Sequence, residues 1–120
     1  MEIVNVKGLF FSVNVHFQIS SELITHSHQY VYIIQTKEGI CGFGGGVGSP
    51  PFVNKFAFKK ARKYLISQDF SDQRDIEKFL NTLRLARVDK HVIYGLEMAL
   101  YDLYSPPFPI PSHIFLLIHE

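Results

Sequence analysis

The 120-residue chain has no tryptophan, one cysteine, and no apolar run longer than the five residues "IFLLI" at 114–118. A run that short cannot span a bilayer. A single thiol, Cys41, cannot close an internal disulfide, so a reducing, cytoplasmic setting is expected. Glu2 and the lack of a long apolar stretch near the start argue against a secretory leader. Charge of one sign is also lacking: 12 Lys and Arg stand against 11 Asp and Glu, for a net +1. That balance points away from nucleic acid, which calls for a clustered basic face. The recurrent catalytic and phosphate motifs are missing too. No Cys-x-x-Cys, His-Glu-x-x-His or Gly-Lys-Ser/Thr occurs.

What the chain does have is glycine, in "TKEGICGFGGG" (36–46), directly before "VGSPPFVNKF". A dinucleotide fingerprint would need a third glycine at the sixth position, where Val47 stands, and an immediate helix, which Pro50 and Pro51 delay. The other reading is mechanical: Gly39 makes a turn, and its neighbours let a strand bend or pass close to something.

Two periods divide the chain. In "NVHFQIS" (14–20), Val15, Phe17 and Ile19 alternate with polar residues, as in a half-buried strand. "QYVYIIQT" (29–36) is β-branched and aromatic on both faces and reads as a central strand. "ICGF" (40–43) returns beside it, and "EIVNVKGLFFSV" supplies an earlier strand with a bend at Gly8. The polar "SSELITHSHQ" (20–29) reads as a loop. From residue 54 the period is helical. Asn54 is placed to cap a helix with the stripe Ala57, Phe58, Ala61, Tyr64 and Leu65. Ser71 or Asp72 caps a second, with Ile76, Phe79, Leu80 and Leu83 inward. Asp89 caps a third, with Val92, Ile93, Leu96, Ala99, Leu100 and Leu103 inward. Strands followed by helices predict an α+β fold: an antiparallel β-meander of three to four strands (1–46), then about three helices (54–104) and a proline-rich tail (105–120).

Individual residues yield no catalytic or metal set. His26 and His28 face the same way if extended, with His16 on a neighbouring strand, yet no further metal-ligand pattern accompanies them. Cys41 lies in an apolar strand and reads as a packed thiol. Asp69 and Asp72 suit a helix dipole. Asp102, after an apolar run, reads as a hydrogen-bonded structural carboxylate.

The segment 17–46 resembles the opening of the enolase superfamily, in its mandelate racemase and muconate lactonizing branch. Phe17, Ile19 and Ser20, then a loop through Thr25 and His26, then Thr36, Gly39, Ile40, Gly42 and Gly44 match the order of its parts. "GLEMALYDLYS" (95–105) resembles the branch's Ala-hydrophobic-Asp helix, through Ala99, Leu100, Asp102 and Leu103. The loop and strand "ITHSHQYVYI" is closest in flavour to the dipeptide epimerases. Gly45 departs from the branch, which usually has Glu or a similar residue after Gly-x-Gly.

This resemblance implies a single N-terminal capping domain, the enolase N-terminal-like fold, over residues 1–120. The catalytic lysines and the carboxylates holding Mg²⁺ would belong to a barrel beyond residue 120, so no catalytic or metal residue and no cofactor is assigned here. The chain alone would be inactive; the family reaction is Mg²⁺-assisted proton abstraction α to a carboxylate. Two lid loops carry over as substrate-contact candidates: Phe17, Ser20, Glu22, Ile24, Thr25 and His26 in the first, Val47, Ser49 and Phe52 in the second. The expected partners are a barrel domain or a second copy, without nucleic acid or membrane; the alternative is a non-enzymatic interaction module that homodimerises through its exposed barrel-facing surface.

Overall fold

The chain turns at Lys37–Gly39, where Gly39 takes a φ of +90° that side chains disfavour. Thr36 clasps this turn, its Oγ1 accepting from the Ile40 amide at 3.1 Å. In the computed structural model the described residues are 1–19 and 22–105, with side chains described for 1–11 and 29–105. Three strands precede three helices: β1 Ile3–Ile19, β2 Glu22–Thr36, β3 Cys41–Val47, α1 Pro51–Leu65, α2 Gln73–Leu85 and α3 Lys90–Asp102. The sheet is antiparallel in the order β1-β2-β3. The central position of "QYVYIIQT" follows from its chemistry, since Tyr30, Tyr32, Ile33 and Ile34 are all buried.

The sheet corrects the sequence reading in three places. Residues 3–19 form one strand rather than two, so the sheet has three strands. Gly8 does not bend β1 but pairs with Tyr32, and the register shifts fall between Ile3 and Asn5 and between Asn14 and Phe17. Residues 22–29 form no loop: Phe17 pairs with Ile24 and Ile19 with Glu22. Backbone N–H and C=O groups pair across strands whatever the polarity of the side chains, so polarity alone did not mark a loop.

Helix starts differ in kind. Pro51 opens α1 at its first position, where the missing N–H costs nothing. Asn54 therefore lies inside the helix and caps nothing. On α1, Ala57, Ala61 and Leu65 turn inward while Tyr64 stays exposed. Asp72 caps α2 as expected, reciprocally with Asp75. Arg74 beside it holds the Asp72 carboxyl below its ordinary range. Asp69 instead accepts from the Met1 ammonium at 3.0 Å. The stripes of α2 and α3 are buried throughout, with Ile76, Leu80, Leu83, Leu96 and Leu100 at 0% exposure. Each such side chain contributes about 1.5–3 kcal/mol relative to an exposed one.

The glycines of β3 are explained by what crosses them. A Cβ at Gly42 would stand 2.1 Å from the Ala99 carbonyl oxygen, and one at Gly44 would stand 2.2 Å from that of Gly95. Helix α3 lies directly on the backbone of β3, and only glycine leaves room for it.

Candidate functional site

The short link from β3 to α1, residues 48–50, is where the sheet hands the chain to the helices. Tyr30 of β2 donates its hydroxyl to the Ser49 carbonyl oxygen at 2.6 Å. The Ser49 hydroxyl donates to both carboxylate oxygens of Asp89, 3.2 Å from each. Asp89, placed before α3 by its sequence, thus tethers a distant link and makes no side-chain cap. One turn into α1, the Asn54 amide donates to the Tyr32 hydroxyl at 2.7 Å. Tyr32 in turn stacks on Phe58 with ring centroids 5.2 Å apart.

Between β1, β2 and α1 these residues leave a cleft of about 360 Å³. Leu9, Phe10, Tyr30, Pro51 and Phe58 make its walls apolar, and Asn54 and Lys55 are its polar members. Burial raises the pKa of Tyr30, with the Asp89 charge adding to it. Burial likewise raises Tyr32 and outweighs the opposing hydrogen bond from Asn54. Both phenols therefore remain protonated donors near neutral pH. The Cys41 thiol is also pushed up by burial, which suits packing and not nucleophilic attack. The arrangement can position and enclose an apolar group. It holds no paired acid and base.

The two sets of lid candidates share one end of the sheet. Strand β3 ends at Val47 opposite Gln29, and beyond that point β1 and β2 go on pairing with each other as far as Ile19 and Glu22. In that hairpin Phe17 pairs with Ile24 and Asn14 with His26. The side chains of Phe17, Glu22, Ile24, Thr25 and His26 lie outside the described residues, as do those of His16 and His28 and all of Ser20. Val47 is 64% exposed at the strand end. Phe52 stands not in a loop but in the first turn of α1, 85% exposed. Ser49 alone of the second set is tied into the tether. Sequence reasoning missed Tyr30, Asn54 and Asp89, whose contacts span 19, 22 and 40 residues and leave no local signal.

Asp102 answers its earlier reading. Its Oδ2 accepts from the backbone amide of Phe43, on the edge strand, at 2.9 Å. Among the described residues no three His, Cys, Asp or Glu come together in a way that could hold a metal ion.

Asn54→Ala leaves the Tyr32 hydroxyl without its partner, but water in the adjoining cleft can replace it. The expected loss is about 1 kcal/mol, at the low end for an orphaned buried group. Urea denaturation of Asn54→Ala, Tyr32→Phe and the double variant measures the coupling. Additive single losses would mean that the bond contributes nothing.

No family model matches the sequence, and no curated protein matches it. Solved structures do. The chain is similar to a mandelate racemase/muconate lactonizing protein from Herpetosiphon aurantiacus at a TM-score of 0.72 and 20% identity, covering 95% of this chain and 34% of that one. It is similar to a dipeptide epimerase from Cytophaga hutchinsonii, complexed with Mg and the dipeptide D-Ala-L-Val, at a TM-score of 0.76 and 21% identity, over 87% and 30% of the two chains. The L-Ala-D/L-Glu epimerase from Bacillus subtilis gives 0.68 and 16%, over 87% and 31%. The fold is that of one part of these enzymes. The expected α+β, enolase N-terminal-like fold is therefore observed, and the chain spans about a third of the length of the structures that share it. Identities this low carry the fold and not the activity.

Proposed function

We propose that this chain is a capping module of the mandelate racemase/muconate lactonizing type, which shapes a substrate chamber and does no chemistry alone. The observation that supports it most is the match at a TM-score of 0.76 to 87% of this chain but only 30% of an epimerase. In this reading residues 1–46 and 54–104 form the cap, and residues 105–120 lead toward a barrel. The barrel would supply Mg²⁺ and the proton-abstracting groups for reaction α to a carboxylate. The lid would be made by Phe17, Ser20, Glu22, Ile24, Thr25 and His26 from the hairpin, with Val47 and Ser49 from the other side; Phe52, which stands on α1 and not in the link, is left out of it. A lid of this kind excludes water and selects substrate. The Tyr30–Ser49–Asp89 tether would hold the second side in place.

The test is direct. The 120-residue chain with Mg²⁺ and a panel of dipeptides and acid sugars should show no exchange of the α-proton with deuterated water. Exchange by the chain alone would overturn the reading. A second copy is the other partner to consider, because Leu85 at 86%, Tyr94 at 55% and Met98 at 56% exposure leave apolar surface for one. Sedimentation as a strict monomer at high concentration would exclude that.

A further inference from the structure

Near-neutral net charge hides an uneven distribution. Helix α1 holds five of the twelve Lys and Arg, at 55, 59, 60, 62 and 63, and none of the eleven Asp and Glu. The rest of the chain is therefore net acidic. The inner face of α1 is fixed against the core by Asn54, Ala57, Ala61 and Leu65, so the helix cannot roll. Its outward face is then set by the 3.6-residue period, which aligns Phe52, Phe56, Lys59 and Lys63 along one line. Phe52 is 85% exposed and Phe56 71%. Two other cations of the helix are engaged: Lys60 donates to the Ala86 carbonyl oxygen at 2.7 Å and the Arg62 Nε to that of Val6 at 3.0 Å. Among the described residues no carboxylate pairs with Lys59 or Lys63.

We infer that this face of α1 docks on an anionic phospholipid surface, with Phe52 and Phe56 entering the headgroup layer and Lys59 and Lys63 meeting lipid phosphate and carboxylate. The charge complementarity is one argument, since an anionic plane attracts α1 and repels the acidic remainder, which orients the molecule. The make-up of the face is the other. A nucleic-acid backbone offers phosphates but no apolar layer for the two projecting rings, whereas a lipid interface takes up rings and cations together, the pairing found on this convex helix face. Like charge on both sides disfavours α1 pairing with α1 of a second copy. Such docking departs from the expectation of no membrane partner, which rested on the lack of a spanning run; a surface contact needs none, and none of the helices described is long and apolar enough to cross a membrane.

Co-sedimentation with phosphatidylcholine vesicles, with and without phosphatidylserine, tests this on the full chain. Binding is expected only to the anionic vesicles, and added salt should release it. Lys59→Glu with Lys63→Glu should weaken partitioning roughly tenfold or more, because each basic residue near such a surface contributes appreciably. Phe52→Ala with Phe56→Ala should weaken it at unchanged salt dependence. All four positions are exposed, so an unchanged circular dichroism spectrum is expected and checks the fold. No binding to anionic vesicles, equal binding to neutral ones, or binding indifferent to both pairs of substitutions would overturn the inference. So would capture by heparin or polyglutamate without capture by vesicles, which would assign the face to a soluble polyanion.

Discussion

Gly44→Ala is expected to destabilise the domain by about 3 kcal/mol or more, at or beyond the upper end for overpacking. The added methyl would lie 2.2 Å from the Gly95 carbonyl oxygen and 2.5 Å from the Ala99 amide nitrogen. Both are backbone atoms of α3, so no rotamer change relieves the contact. The helix must move away from the sheet, and Leu96 and Leu100, both fully buried, must move with it. Gly8→Ala provides the graded comparison. The atoms nearest its methyl belong to the Phe58 ring, at 3.2 Å, and that side chain can yield by a few tenths of an ångström. Urea midpoints of the two variants should differ widely. Similar midpoints would mean that α3 does not sit as close to β3 as described.

Asp102→Ala is expected to cost about 1.5–3 kcal/mol, the range for a hydrogen bond to a charged group. The carboxylate takes up the Phe43 N–H on the edge strand of the sheet, where unpaired backbone groups invite association. Asp102→Asn keeps an acceptor but loses the charge, and should fall between the alanine variant and the parent. Thermal and urea unfolding give both values. A variant that loses stability should also aggregate more readily through the opened edge. Should Asp102→Ala unfold like the parent, the carboxylate has no structural part and its earlier reading fails.

Much of the fold was legible because its signals are local. Alternation and β-branching marked residues 29–36 as a buried central strand, and the 3.6-residue period marked the stripe of α2 residue for residue and that of α3 apart from Gly95. Asp72 announced a helix start because a cap is a contact between near neighbours. Misreadings came where a distant partner decided the outcome. Asn54 has the chemistry of a cap, but Pro51 started the helix earlier and Tyr32 claimed its amide. "SSELITHSHQ" has the polarity of a loop, yet pairing with β1 makes residues 22–29 a strand. Tyr64 fitted the inward stripe of α1 until the packed helix placed it 40% exposed. The candidate site was less legible than the fold, because a tether such as Ser49 to Asp89 spans 40 residues.

By itself the sequence determined the class of the fold, the order of its elements, the inward residues of two helices and the turn at Gly39. These depend on periodicity, caps and backbone preferences, which act over a few residues. Only the tertiary structure decided that Gly42 and Gly44 are the floor under α3, that Asp102 serves the sheet edge, and that Phe52, Phe56 and the lysines of α1 share an outer face. Close approach, edge pairing and exposure are properties of elements packed together, and no stretch of chain specifies them alone.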